Sequence, residues 1–209
     1  MTKKTTTLKA AAVALLTALT LTGCSSEPAS DKEVTGQPKW DVSAAPAATW
    51  APAAGIPAPM SYSDGPANTS PVPHGYAPSP QGAVLAAING QIQMATANDT
   101  VWPQVSQYLL APGEGRDQWA QARALLSVEG EVDDPAEFVG FRVVRFSDSD
   151  ATVVLATEWP TGELTAYPVQ LTRMSDTWRL VLPTQDQAVD MEPIEDLGGF
   201  TRFSAEEKS

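Results

Sequence analysis

Between residues 80 and 126 the apolar residues recur at intervals of three and four, which is the spacing of one helical face. Ser79 and Pro80 open this region with a capping hydroxyl and then a proline, the residue that suits the first helical position. The spacing predicts a first helix from Pro80 to just before Asn98, a second from about Val101 to Leu110, and a third from about Arg116 to Leu126.

After Pro135 the apolar residues alternate with polar ones, which is typical of strands. Four strands are predicted, over residues 138–146, 151–159, 164–173 and 177–182. Short turn-like links join them, so we expect an antiparallel meander. Helices followed by a meander predict an α+β fold, in which the N-terminal helices pack on one face of a curved antiparallel sheet of about four strands.

The N-terminus has the pattern of an export signal. Lys3 and Lys4 precede an uncharged, mostly apolar run of about 13 residues, which is too short to span a bilayer as a helix. The run ends in Leu21-Thr22-Gly23-Cys24, which resembles the bacterial lipobox, a motif whose cysteine is acylated. We predict a lipoprotein signal peptide over residues 1–23, cleavage between Gly23 and Cys24, and a lipid on Cys24.

Two acyl chains on one cysteine attach a protein stably to a membrane. The expected location is therefore the extracytoplasmic face of the cell membrane. The alternative is an ordinary secretory signal in which the cysteine stands by chance.

Composition divides the remainder of the chain. Residues 24–54 are rich in Ser, Ala, Pro and Thr without a sustained apolar period, which predicts a disordered tether behind the lipidated Cys24. An α+β domain is expected over residues 55–185, with an extended, Pro-rich lead-in over residues 55–78. Residues 186–209 are acidic and weakly patterned, so we expect a loose tail, from which Phe200 and Phe203 could pack back.

Two tryptophans, Trp40 and Trp50, stand out in the tether. One interpretation makes them anchors for a protein partner, since tryptophan is enriched among residues that dominate binding energy. The interpretation that we favour has Trp50 docked on its own domain and Trp40 loosely placed.

The chain has 25 acidic and 13 basic residues and a net charge of -12. It lacks the cationic surface that binds phosphate backbones, so nucleic acid is not an expected partner. Anionic headgroups would repel it as well, which leaves the lipid on Cys24 as the expected contact with the membrane. A single cysteine excludes an intramolecular disulfide bond.

Candidate catalytic and metal-ligating residues are few. His74 is the only histidine, and it lies in a Pro/Gly loop that suggests a turn residue more than a catalytic base. The acidic pairs Asp133-Asp134 and Asp148/Asp150 do not continue into a calcium loop, which favours solvated turns. Gly113-Glu-Gly115 lacks the preceding strand of a phosphate-binding loop. We therefore expect no catalytic, cofactor-binding or metal-binding residues, and no enzyme activity.

The placement of six of the domain's large aromatic residues decides between two interpretations. They either fill the core, which we favour, or line a ligand pocket between the helices and the sheet. They are Trp102, Trp119, Phe141, Trp159, Tyr167 and Trp178.

Four short motifs carry a resemblance to a known family: Gly55-Ile-Pro-Ala-Pro, Asp64-Gly65-Pro66, Gly75-Tyr76-Ala77 and Pro80-Gln-Gly-Ala-Val-Leu-Ala-Ala87. The chain resembles an uncharacterised actinobacterial domain family whose members are often lipoproteins encoded near conjugative or integrative elements. The overall pattern is also similar to the nuclear-transport-factor-2-like (cystatin-like) cone, which conjugation scaffold proteins use outside the cytoplasm. The resemblance covers about residues 50–185 and carries no known chemistry.

Three functions are open from the sequence. The first is a membrane-anchored interaction or assembly module with a protein partner, in an apparatus of the conjugation type that the resemblance implies. The second is a lipoprotein that binds a small molecule in a cavity of the cone-like domain, which an open apolar pocket would favour. The third, a hydrolase or isomerase, requires a buried carboxylate or tyrosine with a shifted pKa inside that pocket.

Overall fold

A computed structural model describes residues 40–203 of the 209-residue chain. The predicted signal peptide, its cleavage site at Gly23 and Cys24, the lipidated Cys24 and the first part of the predicted tether lie outside the described residues.

The three predicted helices are confirmed. They are α1 (Pro80–Thr96), α2 (Trp102–Tyr108) and α3 (Glu114–Arg123). The start of α1 is as expected: Pro80 is in the first turn, and the Oγ of Ser79 accepts a hydrogen bond of 2.9 Å from the amide of Gly82. The second and third helices end two to three residues before their predicted limits, a normal discrepancy at frayed ends.

The predicted α+β class and the antiparallel meander are confirmed, but the sheet has six strands, not about four. The meander consists of β3 (Glu137–Phe146), β4 (Asp150–Glu158), β5 (Leu164–Met174) and β6 (Thr177–Val181). The C-terminal region adds β7 (Glu192–Ile194) and β8 (Thr201–Arg202). The order is β6-β5-β4-β3-β8, and β7 pairs with β5.

The expected disorder up to residue 54 is wrong over its last residues. Strand β1 (Thr49–Ala53) forms an antiparallel hairpin with β2 (Ile56–Met60), closed by Ala54 and Gly55 at positive φ. The prolines are tolerated because this sheet has only two strands, so each strand has one edge without a partner strand. The domain therefore begins before residue 55, and its lead-in is partly a strand.

The expectation of a loose C-terminal tail is also wrong as far as Phe203. Strand β7 pairs with β5, and β8 pairs with β3, so the segment between them runs from one edge of the sheet to the other. Phe203 is buried and packs on Trp50 and Phe141 at ring-centroid distances of 5.1 and 5.3 Å. These contacts join the tail to the hairpin and the sheet.

The centre of the core is the contact of α1 with the sheet. Buried Val84, Leu85 and Ile88 belong to the same apolar cluster as buried residues of β3 to β6. Gly90 lets the helix approach β6 closely, since a methyl group there would lie about 2.5 Å from the Cδ1 of Leu180. The close approach fixes the position of α1 over one part of the sheet.

Arg123 is a buried charged residue, with 4% exposure. Its guanidinium donates to the carbonyls of Ala97 and Leu126 and to the carboxylate of Asp99. The hydrogen bond from the Ser127 hydroxyl, followed by that from Arg123, lowers the pKa of Asp99. Arg123 thus satisfies backbone carbonyls after α1 and α3, where helices leave them without partners.

The N-terminal cap of α1 supplies a test of the fold. Ser79 also donates a 2.6 Å hydrogen bond to the carboxylate of Asp64, which ties α1 to the preceding loop. We expect Ser79→Ala to lower the free energy of unfolding by about 1–2 kcal/mol, measured by urea denaturation. Ser63→Ala is the control: it removes an exposed hydrogen bond to the same carboxylate and should cost about 0.5 kcal/mol or less. Equal losses in both variants would contradict the role of the cap.

Candidate functional site

An apolar groove of about 450 Å³ lies between the C-terminal part of α1 and the ends of strands β3, β4 and β5. Its size falls within the range of pockets that bind small molecules. The walls come from the helix, the sheet, the β1–β2 hairpin and three loops: Ile56, Gln91, Ile92, Ala95, Val132, Pro135, Ala136, Phe138, Leu155, Thr157, Trp159, Tyr167 and Met191.

Strand alternation places the sheet side of the groove. Leu155 and Thr157 of β4 lie two residues apart and so face the same side of the sheet. Tyr167 of β5 is the register partner of Leu155, and Phe138 of β3 is the partner of Thr157. Register partners share a face, so four side chains from three strands are brought to one wall.

The opposite wall comes from the helix, the hairpin and a loop. The helix contributes three residues that follow the close contact at Gly90, namely Gln91, Ile92 and Ala95. The loop around Val132 is held against the hairpin by a 2.9 Å hydrogen bond from its amide to the carbonyl of Ala54. Gly55, at φ +86°, permits this contact, since a Cβ there would lie 2.7 Å from the Val132 carbonyl oxygen.

Trp159 stands at the mouth of the groove and is 38% exposed. Its indole Nε1 donates a 3.0 Å hydrogen bond to the hydroxyl of Thr165, and the Met191 sulfur lies 4.0 Å from that hydroxyl. The hydrogen bond holds the indole in one orientation while part of its surface stays open to solvent.

Among the described residues, no charged side chain lines the groove. Its polar groups are the side chains of Gln91 and Thr157, the hydroxyl of Tyr167 and the hydrogen-bonded indole of Trp159. A second cavity of about 470 Å³ adjoins it, and Pro135 and Trp159 line both. The second cavity has a different character because it carries carboxylates, those of Asp134, Glu137 and Glu158. An apolar groove and an acidic cavity therefore meet at Trp159.

The six aromatic residues divide between the two interpretations. Phe141 and Trp178 are fully buried in the core, as expected for core filling. Trp102 and Trp119 form an edge-to-face pair with a ring-centroid distance of 6.2 Å, packed against the core. Trp159 and Tyr167 line the groove. Core filling is thus correct for four residues, Tyr167 both packs against the core and lines the groove, and Trp159 lines the groove alone.

His74, the one candidate base, lies outside the groove. Its Nδ1 is 2.7 Å from the carbonyl oxygen of Val72, and its ring lies on Tyr108 at a centroid distance of 4.6 Å. Tyr76, nearby, is buried, which raises the pKa of its hydroxyl, and this hydroxyl donates to the carbonyl of Pro73. Both residues hold the Pro/Gly loop together, as the turn interpretation of His74 predicts.

Asp133, Asp134 and Asp148 lie in turns or loops, as predicted, whereas Asp150 belongs to a strand. Asp148 is in the β3–β4 turn and Asp150 begins β4, where its carboxylate accepts a hydrogen bond from Ser149. Asp133 and Asp134 belong to the loop before β3, with Asp134 at positive φ. Within residues 40–203, no group of three or more His, Cys, Asp or Glu residues is placed to hold a metal ion.

The two tryptophans of the predicted tether both contact the domain. Trp50 packs edge-on against Phe203, so docking of Trp50 on its own domain is confirmed. Trp40 is 41% exposed and makes an edge contact with Phe146 at 6.3 Å. Trp40 is therefore less loosely placed than expected.

Comparison with known proteins places the chain in a family. The model of a domain of unknown function, DUF8175, matches residues 14–202. The chain belongs to the DUF8175 family. This agrees with the coarser part of the expected resemblance, an uncharacterised domain family. No curated protein and no solved structure matches the DUF8175 chain. In the part of the chain that the structure describes, none of the helices has the length and apolar character needed to cross a membrane.

The sequence contained signals for part of the groove. Trp159 and Tyr167 were recognisable as large aromatics near strand ends. Ile56 and Val132 were not recognisable as lining residues, because the hairpin that brings them together has no alternating pattern. Met191 was missed as well, since it precedes a short strand in a segment with weak patterning.

Proposed function

We propose that this DUF8175 protein is a membrane-anchored, extracytoplasmic lipoprotein that binds a small, largely apolar molecule in the groove between α1 and the sheet. The observation that carries the proposal is the groove itself, with about 450 Å³ of volume and a lining without charged side chains. An open apolar surface of this kind is costly to leave in water, and a ligand that covers it regains that cost.

The chemistry of the lining supports binding more than catalysis. Aromatic walls from Phe138, Trp159 and Tyr167 offer area for an apolar ligand, and Gln91 and Thr157 supply the few polar contacts that orient one. No carboxylate or histidine lines the groove within residues 40–203, and the tyrosine with the raised pKa, Tyr76, lies outside its lining.

The groove supplies a test with an uncharged fluorescent probe, N-phenyl-1-naphthylamine. The protein used begins at residue 24 and carries Cys24→Ser, so it contains every described residue and no lipid. We expect the parent protein to bind the probe saturably. In Ala95→Phe the affinity should fall by about tenfold or more, because the phenylalanine ring would occupy the groove.

Ala122→Phe is the matched control, since it adds the same ring at an exposed alanine of another helix, outside the groove lining. This variant should bind the probe as tightly as the parent. Failure of the parent to bind, or equal loss in both variants, would end the proposal.

The anchor is proposed at Cys24, with cleavage after Gly23. We expect the N-terminal peptide of the mature protein to begin at Cys24 and to carry acyl chains by mass spectrometry. Cys24→Ser should abolish the acyl mass and partitioning into a detergent phase, whereas Ser25→Ala should preserve both. An unmodified Cys24 in membrane-extracted protein would contradict the anchor.

A second candidate function is the assembly module of a conjugation-type apparatus, which the actinobacterial and cone-like resemblance implies. One observation favours it: Tyr62 is fully exposed at the tip of a loop. The loop is held by paired backbone hydrogen bonds between Ser61 and Gly65, of 2.8 and 3.0 Å. A rigidly presented tyrosine is typical of residues that dominate protein–protein binding.

Under this candidate function, Tyr62→Ala should reduce co-purification of the apparatus with the membrane-extracted protein by about tenfold or more, without lowering its stability. Leu125→Ala is the control, because Leu125 is also highly exposed but lies after α3. Retention measured by quantitative mass spectrometry should be unchanged in the control. Unchanged retention in Tyr62→Ala would remove Tyr62 as the anchor.

A further inference from the structure

We propose that the ligand of the groove is a small organic cation, with an apolar body in the groove and a positive group beside Trp159. This inference rests on the proposed function and adds the chemical class of the ligand. It follows from the charges next to the groove and from the aromatic residue that both cavities share.

The position of the acidic cavity supports the inference. It shares Pro135 and Trp159 with the groove, so the two cavities adjoin at the ends of β3 and β4. Asp134, Glu137 and Glu158 line the acidic cavity, and strand alternation directs the two glutamates to the face opposite the groove. A ligand whose apolar body lies in the groove would therefore place its charged end around the strand ends, beside Trp159.

The carboxylates form a site of one sign. Glu137 and Glu158 are register partners on β3 and β4, so both lie at this end of the sheet. Within residues 40–203, Asp134 and Glu158 form no salt bridge, and neither cavity is lined by Lys or Arg. A cation beside Asp134 and Glu158 would be attracted to their carboxylates, and an anion would be repelled.

Trp159 adds a specific attraction for a cation. The face of an indole ring carries partial negative charge and attracts alkylammonium groups, more strongly than the other aromatic side chains do. The hydrogen bond to Thr165 orients the ring before a ligand binds, which lowers the entropic cost of binding. The indole of Trp159 and the carboxylates then both attract the cationic end of the ligand.

The same charges discriminate against anionic molecules. A fatty acid or an alkyl phosphate would find the apolar wall, but its head group would lie against carboxylates on a chain of net charge -12. Ligands with identical apolar bodies should therefore be ranked by the sign of their head groups.

Three octyl compounds test this ranking: octyltrimethylammonium, octyl glucoside and octyl sulfate, each below its micellar concentration. The protein is again the chain from residue 24 with Cys24→Ser, and affinities are measured by isothermal titration calorimetry. We expect the cation to bind about tenfold or more tightly than the sulfate, with the glucoside between them. Added salt should narrow the difference because it screens the carboxylates.

Substitution of the carboxylates tests their role. Asp134→Asn with Glu158→Gln should weaken cation binding by about fivefold or more and leave the glucoside within about twofold. The control, Asp176→Asn with Asp186→Asn, makes the same change of net charge at exposed positions outside both cavities. Asp176 is in the β5–β6 turn at the opposite end of β5, and asparagine suits its positive φ. If the Asp134→Asn, Glu158→Gln protein does not fold, the single variant Glu158→Gln is used in its place.

The outcomes separate the two proposals. Equal affinity for all three octyl compounds would overturn the cation inference and leave the binding function standing. Preference for the sulfate would overturn it as well. If no octyl compound binds, both proposals fail. Equal weakening by the site variant and its control would show that only the overall charge matters, which also overturns the inference.

Discussion

The close contact between α1 and the sheet at Gly90 is the constraint on which the remaining architecture depends. A Cβ at this position would lie 2.5 Å from the Cδ1 of Leu180, so any larger residue requires the Leu180 side chain to move, whereas glycine lets the helix lie this near β6 without a shift. Packing in protein interiors is dense, and a rigid helix cannot follow a twisted sheet along its whole length. Where α1 ends, the small Ala95 lies over the ends of β3 to β5, and the groove opens there.

This geometry explains why the large aromatics have different environments. Phe141 and Trp178 lie under the part of the sheet that other elements cover, and their burial stabilises the fold. Trp159 and Tyr167 lie where the cover ends. Tyr167 also packs against the core, but Trp159 does not, so the proposed ligand gives the exposed indole of Trp159 a role that core packing does not.

Periodicity alone predicted most of the framework. The three- and four-residue spacing after Pro80 and the alternation after Pro135 correspond to α1–α3 and β3–β6. The hairpin of Thr49–Met60 was missed because Pro52 and Pro57 interrupt any strand pattern, although they are register partners in it. The short strands β7 and β8 were missed because two or three residues carry no period, and their stability comes from pairing with distant strands.

The groove could not be predicted from the sequence, because it depends on where α1 stops relative to the strand ends. The distribution of charge around it has a physical reason. A carboxylate inside the groove would lose its hydration, which is costly without a partner, whereas Glu158 at the exposed end of β4 keeps water nearby. Of the two cavities, only the adjoining one is therefore lined by carboxylates. These carboxylates would act on the solvated end of the proposed ligand, while the apolar wall contacts its apolar body. Trp159 belongs to both cavities, so it is the side chain through which the binding of an apolar body and the binding of a charge are coupled.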